Sequence, residues 1–221
     1  MILCCGEALI DMIPAEGGDR PTWSAYPGGA IFNTALALGR LGVPAGLFTG
    51  LSTDAFGDML RADLRASGVA LDHAVTTDRK TALAFVNLRD GQATYSFHDA
   101  GSAHRDLTVA DLPTIPAEVQ VLFFGCISLV AEPCGATFER CLAQEGAGRL
   151  VMLDPNIRPS FVTDEAAYRA RLDRMMAGAD IVKLSDEDLD WLVPGAGGLT
   201  DGLGRVLERG ARLAIVTRGS A

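Results

Sequence analysis

The stretch Pro27-Gly28-Gly29-Ala30-Ile31-Phe32-Asn33 sets two glycines and an amide at the opening of an apolar helix that runs on to Leu41. Paired glycines let backbone approach a ligand closely, because no Cβ intrudes and unusual φ values are open to them. The first turn of the helix offers backbone N–H groups that have no partner within the helix. One turn in, the Asn33 amide can both donate to and accept from hydroxyl groups. That combination suits a polyol better than a dinucleotide, since the spacing is not Gly-x-Gly-x-x-Gly. A plain tight turn between a strand and a core helix is the alternative reading of the same residues.

Further groups with chemistry fall just past apolar runs. Asp11 closes Gly6-Glu7-Ala8-Leu9-Ile10-Asp11, just after a first strand, where ligands bind in open α/β sheets. Its carboxylate can accept two sugar-hydroxyl hydrogen bonds, although an exposed loop acid has the same signature. Asp154-Pro155-Asn156-Ile157-Arg158-Pro159 also lies beyond a strand, and Pro159 biases Arg158 away from helix. Arg158 can pair with a phosphate or with a structural acid. Ser185-Asp186-Glu187-Asp188 opens a helix with Ser185 as a natural N-cap. The acids there are either helix-dipole partners or organisers of a Mg2+ hydration shell near phosphates. Thr217-Arg218-Gly219 ends a strand with a hydroxyl and a flexible glycine, suited to nucleotide phosphate.

Composition narrows the function classes. At 221 residues the chain can build one substantial α/β core. The net charge of −9 is spread along the chain and no basic face is visible, so a nucleic-acid partner is not expected. The longest apolar stretch, 121–130, is too short to span a bilayer and contains Gly125 and Ser128. Met1-Ile2-Leu3 lacks a basic n-region, and the chain reads as cytoplasmic with no membrane partner. Cys4 and Cys5 are neighbours in a strand and point to opposite faces, which is not a natural disulfide. Cys134 and Cys141 share a helix face without Cys-x-x-Cys spacing or a nearby His, so buried free thiols are expected and no metal ligand is named.

The elements that must position these groups alternate. Strands are expected at 2–5, 46–50, 119–127, 150–153, 181–184 and 213–217, and helices at 30–41, 56–66, 138–144, 165–176, 186–192 and 203–209. That rhythm predicts a mainly parallel sheet with helices on both faces. One region breaks it: 81–88 and 93–97 are β-rich and joined through Asp90-Gly91, a hairpin signal, and 23–26 adds a short strand. A few antiparallel strands there, from about 12–27 and 80–100, make a small β lid that excludes water from a reacting centre, or else an antiparallel edge extension. The strand at 211–217 has no covering helix after it, from which the C-terminal part of the domain is expected to be missing.

Taken in order, these segments strongly resemble the ribokinase-like (PfkB) family of carbohydrate kinases, from Gly6-Glu7 to Gly219. The Gly28-Gly29 pair with Asn33, the stretch Gly50-Leu51-Ser52-Thr53-Asp54-Ala55-Phe56-Gly57, the 154–158 segment and the 183–189 segment recur in the family's order. Asp154-Pro155-Asn156-Ile157-Arg158-Pro159-Ser160 and the Ser-Asp-Glu-Asp form of the later segment are most similar to bacterial fructokinases. The resemblance implies an ATP-dependent kinase acting on a sugar, fructose first, with 2-keto-3-deoxygluconate and ribose as alternatives. It implies that Asp11, Gly28, Gly29 and Asn33 hold the sugar. Ser185 and Asp188 fall at the family's Asn-x-x-Glu positions, associated with Mg2+ and phosphate, and Thr217 and Gly219 at nucleotide-contacting ones. Related lids often pair between subunits, which implies a homodimer through the lid. The chain departs from the pattern at Ile31, where a small residue or Pro is usual, and at Ser185 and Asp188, which are shorter ligands than Asn and Glu. The family's Gly-Ala-Gly-Asp segment, which carries the anion hole and the catalytic base, is absent, so that base is expected beyond Ala221 and no acid here replaces it. An inactive sugar-binding or regulatory protein is the rival expectation.

Overall fold

The structure, a computed structural model, describes residues 1–15, 20–89 and 92–219. Strand β1 (Ile2–Cys5) is followed by β2 (Leu9–Ala15), β3 (Thr22–Gly28) and helix α1 (Ala30–Arg40). Next come β4 (Ala45–Phe48), β5 (Gly50–Ser52), α2 (Ala55–Ala66) and β6 (Val75–Thr77), then the pair β7 (Ala82–Arg89) and β8 (Gln92–His98). The second half alternates as β9 (Val121–Gly125), α3 (Cys134–Glu145), β10 (Leu150–Asp154), α4 (Glu165–Ala177) and β11 (Ile181–Ser185). Helices α5 (Asp186–Leu192) and α6 (Leu199–Leu207) lead to β12 (Leu213–Thr217).

Six parallel strands form the main sheet in the order β12-β11-β10-β9-β1-β4. Alternation along each strand divides the core. Leu3, Cys5, Leu122, Phe124, Val182 and Leu184 face one way and pack with residues of α3 to α6, among them Phe138, Leu172, Leu189 and Val206. Cys4, Leu47 and Phe123 face the other way, against Ile31, Phe32, Leu60 and Leu64 of α1 and α2. The neighbouring thiols Cys4 and Cys5 thus lie in different layers, and all five cysteines are free and buried. Fully burying each large apolar side chain is worth about 1.5–3 kcal/mol, so both layers contribute strongly. On β12 the alternate residues Leu213 and Ile215 stay exposed. Among the described residues, no helix is long and apolar enough to cross a membrane.

A second sheet has the order β3-β2-β7-β8. The antiparallel expectation needs correction here, because β2 and β7 run parallel and only the flanking pairs β2–β3 and β7–β8 are antiparallel. The Asp90-Gly91 turn lies outside the described residues. Asp11, expected just after the first strand, sits inside β2, opposite Tyr26 and beside Ala84, so the alternative of an exposed loop acid is not what is seen. The expected strand 46–50 is broken. The chain leaves the main sheet after Phe48, and β5 pairs with β6 in a two-stranded sheet of its own. β9 stops at Gly125, short of the expected 127, because Cys126 takes φ +62 and turns the chain into a 3-10 segment, Cys126–Leu129. Helix α6 begins at Leu199, earlier than expected, where Gly198 at φ +117 starts it.

Candidate functional site

The strand order reverses at β1, whose neighbours β4 and β9 continue in opposite directions. In open α/β sheets such a switch point leaves a crevice at the carboxyl ends of the strands, and ligands bind there. A cavity of about 600 Å³ lies at this place. It gathers Asp11 from β2, Gly29 and Asn33 from the start of α1, and Asn156 and Arg158 from the loop after β10.

Each group is set by its element. Gly29 is the N-cap of α1 at φ +104, a conformation that L side chains rarely adopt. Gly28 holds Asp11 by its lack of a side chain, since a Cβ there would strike the Asp11 carboxylate. Asp11 is partly buried, and that burial pushes its carboxyl above the usual range. Asn33 is exposed toward the cavity one turn into α1. Arg158 directs Nη1 to the carbonyls of Ile157 at 3.1 Å and Asn156 at 3.4 Å, and among the described residues no acid pairs with it. Asp154 pairs with Lys183, whose Nζ lies 3.1 Å from Asp154 Oδ2. Burial pushes the Asp154 carboxyl up, and Lys183 opposes that shift.

The helix start differs from the expectation of open N–H groups. The Ile31 N–H donates to Glu7 Oε1 at 3.1 Å, and the Phe32 N–H to the Glu7 carbonyl at 3.2 Å. Glu7 is completely buried, and its other carboxyl oxygen accepts from the Ser128 hydroxyl at 2.5 Å. Burial pushes this carboxyl up, while the Ser128 hydrogen bond holds it down. Sequence reasoning passed over Glu7, although a lone acid inside the apolar run 2–10 was the available signal. It also passed over Cys126 and the aromatic wall. Cys126 and Asn156 are the non-glycine residues with positive φ among those described, both line the cavity, and the thiol donates to Asn156 Oδ1 at 3.4 Å. Such backbone outliers gather at functional sites. Phe97 of β8 meets Phe161 of the 3-10 segment Pro159–Phe161 edge to face at 4.5 Å, and both line the cavity.

The other predicted residues lie along the same edge of the main sheet but do not line this cavity. Ser185 and Asp188 form a capping box at the start of α5: Ser185 Oγ accepts from the Asp188 N–H at 3.0 Å, and Asp188 Oδ2 from the Ser185 N–H at 2.9 Å. Asp188 Oδ1 accepts from the Ile157 N–H at 2.7 Å. The capping reading is therefore the one realised in the geometry. Thr217 pairs in register with Ser185 and gives its hydroxyl to the Leu184 carbonyl at 3.3 Å, and Gly219 follows at φ +32. Chemically, the cavity offers a carboxylate, two amides and a guanidinium around an aromatic wall, which matches a small polyhydroxylated molecule.

The full length, residues 1–221, matches the model of the "pfkB family carbohydrate kinase". The chain is 50% identical to a fructokinase of Rhizobium leguminosarum bv. trifolii, over 100% of this chain and 68% of that protein. It is 39% identical to Fructokinase-1 of Oryza sativa subsp. japonica, over 87% of this chain and 62% of that one. The crystal structure of the Xylella fastidiosa fructokinase with bound ATP superposes with a TM-score of 0.88 at 30% identity, over 100% of this chain and 72% of that one. The chain thus spans about two thirds of the length of the relatives it matches, 68% and 62% for the two curated proteins. With a mainly parallel sheet, a small second sheet and a polar cavity at the switch point, it belongs to the pfkB family of carbohydrate kinases.

Proposed function

We propose that this protein transfers the γ-phosphoryl group of ATP to a hydroxyl of fructose. The observation that carries the reading is the convergence of Asp11, Gly29, Asn33 and Arg158, from three distant segments, on one cavity at the switch point. The fructokinase names of the relatives and the ATP of the Xylella crystal support it. Asp11, Asn33 and Arg158 bind and orient sugar hydroxyls, and Gly28 and Gly29 allow the backbone to close on them. The second sheet serves as a lid, with Phe97 against Phe161 excluding water. Its exposed Trp23 and Ile13 favour pairing of two lids in a homodimer. The nucleotide lies toward Ser185, Asp188, Thr217 and Gly219 at the ends of β11 and β12.

Among the described residues, no group of three or more His, Cys, Asp or Glu forms a metal cage. Mg2+ keeps several of its waters and is held through substrate phosphates with one or two carboxylates. Asp186 and Glu187, exposed acids in the first turn of α5, could take those places. Bound with the nucleotide, Mg2+ neutralises charge on the phosphoryl oxygens. A coupled ADP-release assay across fructose, ribose and 2-keto-3-deoxygluconate tests the reading. On a chain that carries the family's Gly-Ala-Gly-Asp segment, fructose turnover is expected, and Asp11→Asn should lower its kcat/KM by roughly 10–150-fold, the value of a charge-assisted hydrogen bond. Preference for another sugar overturns the substrate, and sugar binding without turnover overturns the kinase.

A further inference from the structure

We propose that Glu7 is a positioning residue for the sugar site, tying the start of α1 to the turn Cys126–Leu129 so that the two walls keep one spacing. The inference rests on the cavity being the sugar site. Three contacts carry it. Glu7 Oε1 receives the Ile31 N–H at 3.1 Å, its carbonyl receives the Phe32 N–H at 3.2 Å, and Oε2 receives the Ser128 hydroxyl at 2.5 Å. The side-chain links span 24 and 121 residues of sequence, so one carboxyl joins parts of the chain that nothing local would hold together.

The groups on either side of the tie are those that face the cavity. Gly29 rests directly on Glu7, since a Cβ there would stand 3.1 Å from Glu7 Cγ and from its carbonyl oxygen. Asn33 follows one turn along the same helix. On the other side the turn begins with Cys126, which lines the cavity at φ +62 and reaches Asn156. Glu7 itself is 0% exposed, so it acts on a bound sugar through these neighbours. A buried carboxyl is costly unless its hydrogen bonds are made, and here both oxygens are used. Glutamine can reproduce the arrangement, with its oxygen facing Ile31 and its amide donating to Ser128 Oγ. Alanine cannot, and leaves a buried N–H and a buried hydroxyl without their acceptor.

The test is calorimetric titration of the protein with fructose, and separately with ATP, for the parent and for Glu7→Gln, Glu7→Ala and Ser128→Ala, each with a thermal melt. Glu7→Gln should bind fructose within about threefold of the parent, whereas Glu7→Ala should weaken it at least on the order of tenfold. ATP affinity should stay within about twofold in both, because the candidate nucleotide residues lie out on β11 and β12. Ser128→Ala cuts only the far end of the tie and should weaken fructose by about threefold to tenfold, which keeps the test decisive if Glu7→Ala does not fold. Unchanged fructose binding in Glu7→Ala or in Ser128→Ala overturns the proposal. So does an equal loss of fructose and ATP that follows the fall in melting temperature, the mark of a merely structural residue. A parent that binds no fructose overturns the underlying site reading instead.

Discussion

Replacing Gly28 by alanine should separate sugar binding from stability. A Cβ built on Gly28 lands on Asp11 Oδ2 and 3.0 Å from Asp11 Cγ, while the next atom, Leu9 Cδ1, is at an ordinary 3.7 Å. Gly28 is not among the positive-φ glycines, so alanine meets no backbone strain. What must give is the end of one side chain. Turning Asp11 off its rotamer costs about 0.5–1.5 kcal/mol. Reduced freedom of the unfolded chain returns about 0.4–1 kcal/mol. Net stability should therefore stay within about 1 kcal/mol of the parent. Binding has no such offset, because the displaced carboxylate loses its charge-assisted hydrogen bonds to the sugar, roughly 1.5–3 kcal/mol, or about 10–150-fold in Kd. Fructose calorimetry and urea unfolding on the same preparations measure the two quantities. Adding Gly28→Ala to Asp11→Ala should weaken binding further by less than about 0.5 kcal/mol, since both act through one carboxylate. Full fructose affinity in Gly28→Ala, with Asp11→Ala impaired, would refute the steric argument. So would additive losses in the double variant.

Asp54→Ala should destabilise the fold by about 2 kcal/mol, through a lost α2 N-cap and two lost Thr81 contacts, discounted for partial exposure. Burial alone would raise this carboxyl, but hydrogen bonds from Thr81 and Gly57 outweigh it and hold it low. Its contribution is thus complete above the ordinary aspartate range and is lost as pH falls through the folded value, so urea midpoints of parent and variant should converge in acid; a constant gap would contradict this. His104 is buried, and that burial lowers its pKa from 6.5 to about 4. The unfolded chain takes the proton first as pH falls, so His104 should cost about 2 kcal/mol of stability between pH 6.5 and pH 5, a loss that His104→Gln escapes. Parallel stability profiles from pH 7.5 to 5 would count against it.

Much of this architecture is legible because short apolar runs such as 2–5 and 150–153 end in glycine or polar residues, and helices begin at Asp54 and Ser185 with side chains that cap them. The two adjacent glycines before an apolar helix were legible as a place where backbone can approach a ligand, with a plain tight turn as the other reading. Pairings between distant segments were not. That Asp11 lies inside a second strand was hidden because β2 continues the apolar pattern of β1 only briefly, and its partner β7 lies some seventy positions on. Glu7 shows no role until Ser128 is brought to it, and the positive φ of Cys126 leaves no trace in a run that otherwise reads as strand. Asp188 read first as a cap, with a Mg2+ organiser as the other reading; the Ile157 N–H at its second oxygen is a contact that the sequence does not show.

That second oxygen has a mechanical consequence. Asp188 grips the Ser185 N–H with Oδ2 and the Ile157 N–H with Oδ1, at 2.9 and 2.7 Å, so it works as a strut between adjacent strand ends. Asn156 and Arg158 flank Ile157 on the cavity side, and Thr217 stands in register with Ser185 on the other. The backbone that carries Asn156 and Arg158 and the strand end that meets Thr217 are thus fastened by the two oxygens of one carboxylate, so replacing Asp188 removes a hydrogen bond from both at once.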